Sequence, residues 1–572
     1  MGKKEAAPQK KPAESKPAGQ AGQEKPWFKF WPPGVPKTIK YPVVPLDSIL
    51  RDAAKKYPDS IAYSYYDSQM TYKKLDDISD RVAAGLVKLG VKKGDVVALH
   101  FTNVPPCIAS YFGVLRAGGI ATLISPLFKK MEIKYQLKDS DAKFLVVWEG
   151  FDGLYDYDAL PNETGVRVII HSSLGNWFNP DPVASDAVST DGTTLYLEDL
   201  IRTNEPKPPK VSINPKEDLA ILQYTGGTTG MPKGGMITHY NILTNILQIK
   251  AIFPECEPGK EVMMMALPLY HIYAQCACMN FGTLIGANNV LVGNPREADE
   301  LIEAIEKHKI TIFPGVAAMF NMLNNHEGIE KVNMKSIKYC TSGAGPLPKE
   351  VQDKFEKLTG AKLREGYGLT EASPFVSVNP LQGRFKNGTV GLPLPDTELK
   401  IVDVETGTKV LGINEVGELC VKGPQVFQGY YKKPEETKKT IRDGWLYTGD
   451  AAIIDDEGYT VIKERLKNML KYKGHSVYPT EVEALLYENP AILECAVIGI
   501  KDPQVGENIK AYVVLKDNYV GKITEKEIIE WAKKNIAGYK VPHIVEIIEE
   551  IPKSRIGKIL HRVLREGKTE LD

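Results

Sequence analysis

Residues 224–234 read Tyr-Thr-Gly-Gly-Thr-Thr-Gly-Met-Pro-Lys-Gly, behind the lead Leu-Ala-Ile-Leu-Gln at 219–223. The lead has the character of a buried strand and the stretch after it that of a loop at the strand's end. Glycine lets successive backbone N–H groups turn toward one point, and such a concave nest holds an anion. Threonine hydroxyls add donors, and Lys233 adds a full positive charge. A polyphosphate suits this set, held by Thr225, Gly226, Gly227, Thr228, Thr229, Gly230 and Lys233. A Walker A loop ends in Gly-Lys-Ser/Thr, whereas Lys233 follows Pro232 and precedes Gly234. A glycine-rich surface turn is the plainer alternative for the same composition.

Strand and helix signatures alternate before the loop. Residues 46–57 and 72–89 carry helical spacing, the second through Leu75, Ile78, Val82, Leu86 and Leu89. Residues 61–66, 96–100 and 120–124 read as strands, and 106–117 as a helix stopped by Gly118-Gly119. Val146-Val147 and residues 168–170 continue the rhythm, which is that of a mostly parallel sheet covered by helices. Residues 177–210 are polar, proline-rich and unperiodic, and read as an excursion before the loop. Beyond residue 478, helix and short strand alternate at 481–487, 496–500, 509–514, 526–535 and 544–548, as in a small α+β domain. A chain of 572 residues is too long for one core. The expected fold is α/β: a large N-terminal domain of mostly parallel sheets covered by helices, with a small β-rich subdomain, joined by a hinge to the α+β C-terminal domain.

Composition excludes several classes. The 43% hydrophobic and 25% charged content is that of a soluble globular protein. The formal net charge of +0 gives no electrostatic case for nucleic acid. The seven cysteines are odd in number and hold no Cys-x-x-Cys pair, so neither a disulfide framework nor a zinc site is indicated. No apolar run approaches the roughly 20 residues of a membrane span, and the N-terminus has no apolar signal core. The expected location is cytoplasmic. Residues 1–25 have no large apolar residue after Met1 and are expected to be disordered. The run Trp27-Phe28-Lys29-Phe30-Trp31 is read as an arm packing on its own domain, with a dip into a membrane interface as the alternative.

Later segments carry further chemistry. His271, after Pro268-Leu269-Tyr270, is a base, a metal ligand or a packed wall residue. Val316, Ala317 and Phe320 either flank a pocket or belong to the core. Gly343-Ala344-Gly345-Pro346, after a strand at 339–342, is a turn whose small residues let a flat ring lie against backbone. In Glu365-Gly366-Tyr367-Gly368-Leu369-Thr370-Glu371, Tyr367 offers a ring for stacking, Thr370 a hydroxyl and Glu371 a hard oxygen ligand suited to Mg2+. Asp450 is an ionised acceptor suited to paired hydroxyls. Arg465, Lys467, Lys471, Lys473-Gly474 and, near the end, Gly557-Lys558 are cations and a flexible turn that would otherwise be solvated charge.

In this order, the loop and the segments after it resemble the acyl-adenylate-forming enzymes: acyl-CoA synthetases, luciferases and peptide-synthetase adenylation domains. Gly226 stands where the usual pattern has Ser or Thr, as in some fatty acyl-CoA synthetases. The resemblance implies an adenine site at Gly343–Pro346 and Glu365–Gly368, with Thr370 near the α-phosphate. It implies Mg2+ at Glu371 with Thr225, ribose at Asp450 and Arg465, and His271 as an orienter of the carboxylate. It makes Lys467 the pivot, Lys471 a partner of the adenylate phosphate, and Lys473-Gly474 the passage for the CoA arm. Lys558 matches the adenylation lysine. Gln275 replaces the tryptophan gate of some long-chain members, and Glu464 stands where most members have Asp or Gly. The implied domains are 26–463, a hinge at 464–468, and a mobile 469–572. The implied reaction joins a fatty acid to coenzyme A with ATP and Mg2+, giving acyl-CoA, AMP and pyrophosphate. A short, branched or aryl acid, a phosphopantetheine carrier protein as acceptor, a peripheral membrane contact and a homodimer stay open.

Overall fold

The strand Leu219–Thr225 sits inside an eight-stranded sheet of the computed structural model, which describes residues 25–151, 157–178, 195–225, 231–473, 475–502, 505–553 and 559–567. The stretch expected to be disordered, Lys25 apart, lies outside the described residues. On one side Leu219–Thr225 pairs parallel with Ile120–Ile124, followed by Val96–His100, Phe144–Trp148, Val168–Ser172 and Leu195–Tyr196, also parallel. On the other it pairs antiparallel with Lys233–Thr238, which pairs with Gly429–Tyr430. Every residue of Val96–His100 and Ile120–Ile124 is buried, the condition that makes central parallel strands continuous apolar runs.

A second, nine-stranded sheet has a parallel centre: Lys362–Gly368, Tyr339–Ser342, Ile312–Gly315, Val262–Met265, Asn288–Leu291 and Ile61–Tyr65. A five-stranded sheet holds Glu398–Val402, Gly417–Lys422, Trp445–Ile454, Ile441–Arg442 and Thr460–Arg465. The last, in the C-terminal part, pairs Ile492–Asp502 with Gly506–Leu515 over its own apolar cluster. The α/β architecture with a small C-terminal α+β part is as expected. The loops after Leu219–Thr225, Tyr339–Ser342 and Lys362–Gly368 all leave the carboxyl ends of parallel strands, where open α/β sheets place ligands.

One sequence reading needs adjustment, and the reading of the aromatic run as an arm packed on its own domain holds. Part of the stretch taken as an unstructured excursion is the strand Leu195–Tyr196 and the helix Leu197–Thr203. Leu197 and Leu200 are buried, and Leu200 packs against Gly85, so a short apolar stripe suffices once the helix Tyr72–Lys88 offers a glycine to receive it. The aromatic run is occupied by its own domain. Trp27 is buried with Leu392 and Tyr459, Phe28 meets Trp31 edge-on, and Trp31 Nε1 donates to the Pro393 carbonyl at 3.2 Å. No helix among the described residues is long and apolar enough to cross a membrane.

A buried charge cluster locks the N-terminal helices. The Arg116 side chain, 2% exposed at the end of Pro105–Arg116, pairs with Asp76, with Asp80 at 3.2 Å and with Asp47 at 3.6 Å. Arg51 shares Asp76 and Asp80. Removing Arg116 leaves Asp47, Asp76 and Asp80 with Arg51 alone as counter-charge. Arg116→Met is therefore expected to destabilise the N-terminal part by about 3–5 kcal/mol, read as a lower urea midpoint at neutral pH.

Candidate active site

The hairpin carrying the Gly/Thr loop closes with the pairs Tyr224↔Gly234 and Thr225↔Lys233. Gly226, Gly227, Thr228, Thr229 and Gly230 lie outside the described residues. Both arms are tied to the helix Lys130–Asp139. Tyr224 donates its hydroxyl to Asp139 at 2.8 Å, and Tyr135 donates to the Pro232 carbonyl at 2.8 Å. The mouth of the loop is thus held from outside.

Lys233 pairs with Glu436 and stands 5.2 Å from the centre of the Tyr430 ring. The Tyr430 hydroxyl donates to Glu371 Oε1 at 2.5 Å. Burial, reinforced by the Glu371 charge, pushes this phenol far above its usual range, so it stays a donor. One tyrosine therefore joins the loop's cation to the carboxylate singled out for Mg2+. Mg2+ is commonly held by one or two carboxylates together with phosphate oxygens and water, and Glu371 fits that habit. Among the described residues no cluster of three or more His, Cys, Asp or Glu side chains forms a self-sufficient metal site. Sequence reading missed Tyr430, because only the pairing of Gly429–Tyr430 with Lys233–Thr238 brings it here.

Asp450, 3% exposed, lies opposite Arg465 on adjacent strands. Arg465 Nε reaches Asp450 Oδ1 at 2.8 Å, and the Tyr367 hydroxyl donates to Oδ2. Arg465 also donates to the Thr448 carbonyl at 3.2 Å, and its charge acts on Tyr367 and Glu371. Asp450, Arg465, Tyr367 and Glu371 are thus brought into one neighbourhood. Thr370 opens the turn Thr370–Ala372 that carries Glu371. Gly368 is required by close approach, since a Cβ there would stand 2.3 Å from the Pro374 carbonyl oxygen.

The turn Gly343-Ala344-Gly345-Pro346 is exposed from Ala344 to Pro346, with Ala344 in the left-handed region at φ 65°. Gly343 lies against the Tyr273 ring, 3.0 Å from where a Cβ would be. The Tyr273 hydroxyl is 3.2 Å from the Gly315 carbonyl and 3.2 Å from Thr341 Oγ1. Glu365, paired with Ser342 in the register, receives the Leu347 backbone N–H on its carboxylate. Gly366 faces the neighbouring strand at Ser377 and Val378.

His271 Nδ1 accepts from the Tyr273 N–H at 3.2 Å, so its ring orientation is fixed by the helix it caps. Gln275 is fully buried and donates to Gln223 at 2.9 Å, while Gln223 donates to the Tyr270 carbonyl at 2.9 Å. An amide pair, not an aromatic gate, occupies that position. Phe320 belongs to the core beside Phe313 and Phe355.

Lys467 is exposed in the turn Leu466–Asn468. Lys471, on the strand Leu470–Tyr472 of the C-terminal sheet, and Lys473, in the turn after it, are exposed. The Lys471 N–H donates to Glu507 at 2.9 Å, and the Lys473 ammonium stands 5.2 Å from the Tyr472 ring centre. Gly474 and Lys558 lie outside the described residues.

Burial raises the Glu365 carboxyl to about 8, against which the Leu347 N–H acts only in part. The folded state therefore keeps a proton that the unfolded chain releases at ordinary carboxyl pH, so this group's contribution to stability falls as pH rises between about 4.5 and 8. Glu365→Gln should gain in melting temperature relative to the parent across that interval, with the difference level above it. Thermal scans of both proteins over the pH series check the sign.

The model of the family described as AMP-binding enzyme matches residues 50–431, and that of the AMP-binding enzyme C-terminal domain matches residues 481–558. The chain is 38% identical over 567 residues to a long-chain-fatty-acid–CoA ligase of Bacillus subtilis (strain 168), covering 96% of this chain and 99% of the relative. ATP-bound MatB from Rhodopseudomonas palustris superposes with a TM-score of 0.81 at 26% identity, over 92% of this chain and 99% of that one. The apo structure of MatB gives 0.72 at 27% identity, over 92% and 99%. The chain belongs to the AMP-binding enzyme family.

Proposed function

We propose that this protein joins a fatty acid to coenzyme A through an acyl-adenylate, releasing AMP and pyrophosphate from ATP. The observation that carries the fatty-acid part is an apolar cavity starting beside Tyr273. It is lined by Ile249, Phe253, Ala277, Phe281 and Phe375, among others, with Thr341 at the Tyr273 hydroxyl. Its volume of about 20 Å³ would admit about one water, so an acyl chain enters by displacing side chains.

A carboxylate is anionic and resonance-stabilised, hence a poor electrophile. Its oxygen attacks the α-phosphorus, a P–O bond forms, and pyrophosphate leaves with the electron pair of the broken bond. The thiol sulfur then attacks the acyl carbon and AMP leaves. The first step brings anions together and needs cations and donors where charge develops. Thr225 to Gly230 and Lys233 cradle the leaving phosphates, Thr370 lies near the α-phosphate, and Lys558 supplies the adenylation cation. Gly343 to Pro346, Glu365, Gly366, Tyr367 and Gly368 bed the adenine. Each Asp450 oxygen spends one acceptor site on Tyr367 or Arg465 and keeps another for a ribose hydroxyl. His271 orients the carboxylate. Mg2+ bound at Glu371, with Thr225 nearby, would draw off charge from the phosphate oxygens.

The second step needs different groups at the same place. The C-terminal part, 469–572, pivots within 464–468 at Lys467, withdrawing Lys558 and bringing in Lys471, Lys473 and Gly474. The better superposition on ATP-bound than on apo MatB supports an arrangement suited to the first step.

Carboxylate-dependent pyrophosphate release, measured along a ladder of straight-chain acids with and without coenzyme A, tests the whole reading. Release rising to an optimum among the longer acids, with acyl-CoA formed, is expected. An optimum on aromatic or very short acids would instead favour that substrate class, and turnover with a pantetheinylated carrier but not with coenzyme A would favour carrier loading. Lys558→Ala should cut adenylation by about 100-fold or more while sparing thioester formation from preformed adenylate. Lys467→Pro should show the reverse split, and equal loss of both half-reactions would remove the pivot.

A further inference from the structure

We infer that Phe253 is the stopper that sets the longest acyl chain this protein accepts, an inference that rests on the fatty-acid reading of the cavity. The cavity has a direction. Thr341 and Pro314 are register partners on neighbouring parallel strands, and Tyr339 and Ile312 are partners two residues back on the same strands. Residues two apart face the same side of a sheet. The cavity therefore runs from Thr341, at the Tyr273 hydroxyl, back along the strands toward Tyr339. The opposite wall agrees: Ala277 and Phe281 follow Tyr273 by one and two turns of the segment 272–284.

Phe253 closes the far end. It follows the helix His239–Ile252, is 6% exposed, and places its ring 5.9 Å from both Phe281 and Tyr339, nearly perpendicular to the latter. Behind it the chain emerges at once, since Pro254 and Glu255 are exposed. Phe253 is the last buried residue before the chain reaches the surface there. Tyr339 cannot swing aside as easily, because its hydroxyl donates to Glu255, which also receives Gln382. The backbone at Phe253 has already left the helix. Truncating its side chain thus lengthens the cavity without breaking a helical turn.

The test is the ratio of kcat/KM for a very long straight-chain acid to that for the acid the parent prefers, in the full-length protein. A ratio of this kind is independent of how much of a variant is folded. Phe253→Ala is expected to raise it about tenfold or more, the scale on which pockets discriminate methylenes. Phe253→Trp is expected to move the optimum toward shorter acids. If both variants lower kcat/KM by one common factor along the ladder while the parent turns over straight-chain acids, the assignment to Phe253 is overturned and the reaction stands. If the parent releases no pyrophosphate with any straight-chain acid, the underlying reading is overturned and the assignment with it.

Discussion

The carboxylate of Asp450 is where three parts of the chain meet. It stands on Trp445–Ile454 of the five-stranded sheet, its partner Arg465 closes the neighbouring strand, and Tyr367 reaches it from the nine-stranded sheet. A carboxylate only 3% exposed costs several kcal/mol in lost hydration unless paired. Well-packed apolar residues would serve stability as well or better. A charge retained here makes sense as a device for a ligand that brings its own hydroxyls, and each Asp450 oxygen still has an acceptor site to offer. The same pair stands at the end of the strand Thr460–Arg465, which runs directly into the turn Leu466–Asn468.

Glu464 precedes Arg465 on that strand and faces the other way. Its carboxylate receives the Arg465 N–H at 2.8 Å, the Asn468 amide at 3.2 Å and the Thr480 N–H at 3.1 Å. Thr480 is the second residue of the helix Pro479–Leu486, whose first N–H groups have no partner within the helix. Glu464 therefore supplies, from the end of that strand, the negative charge that a helix N-terminus favours. Aspartate is one methylene shorter and glycine has no carboxylate, so the reach of this contact belongs to glutamate. Adjacent residues thus touch two different things: Arg465 the Asp450 carboxylate, Glu464 the first helix of the C-terminal part. The rotation proposed about Lys467 would give up the Glu464–Thr480 contact, which favours the orientation seen here.

The strands 96–100 and 120–124 were legible to the residue, because a central parallel strand is apolar at every position and glycine or proline marks its ends. Asp450, Arg465, Glu371 and the small-residue turn were legible from their motifs, and the structure brings the first three into one neighbourhood. Tyr430 and Glu436 were not, since their roles arise from pairing between strands about two hundred residues apart. The helix Leu197–Thr203 escaped for a different reason: seven residues hold too few turns to show a period, and what stabilises them is Gly85 on another helix. Nor does spacing reveal that Gln275 pairs with Gln223, because an amide in an apolar run carries no signature of its partner.

That amide pair bears on the shape of the cavity proposed for the acyl chain. Residues Gln275–Asn280 form a π turn between two α-helical pieces, a local widening that recurs at functional sites. Left alone, such a turn would relax to the better-bonded α-helix. Here its polar members are engaged by neighbours: Gln275 with Gln223, the Cys276 thiol with the Ser373 carbonyl at 2.9 Å, and Asn280 with the Tyr111 hydroxyl at 3.1 Å. These bonds hold the widened turn in place and leave small Ala277 facing the cavity. The space in the cavity is then set by the aromatic rings of Phe253, Phe281 and Phe375 and not by the backbone. A cavity bounded by rotatable rings on a bonded frame can stay closed when empty, sparing the cost of a void, and can open one ring at a time as successive methylenes enter.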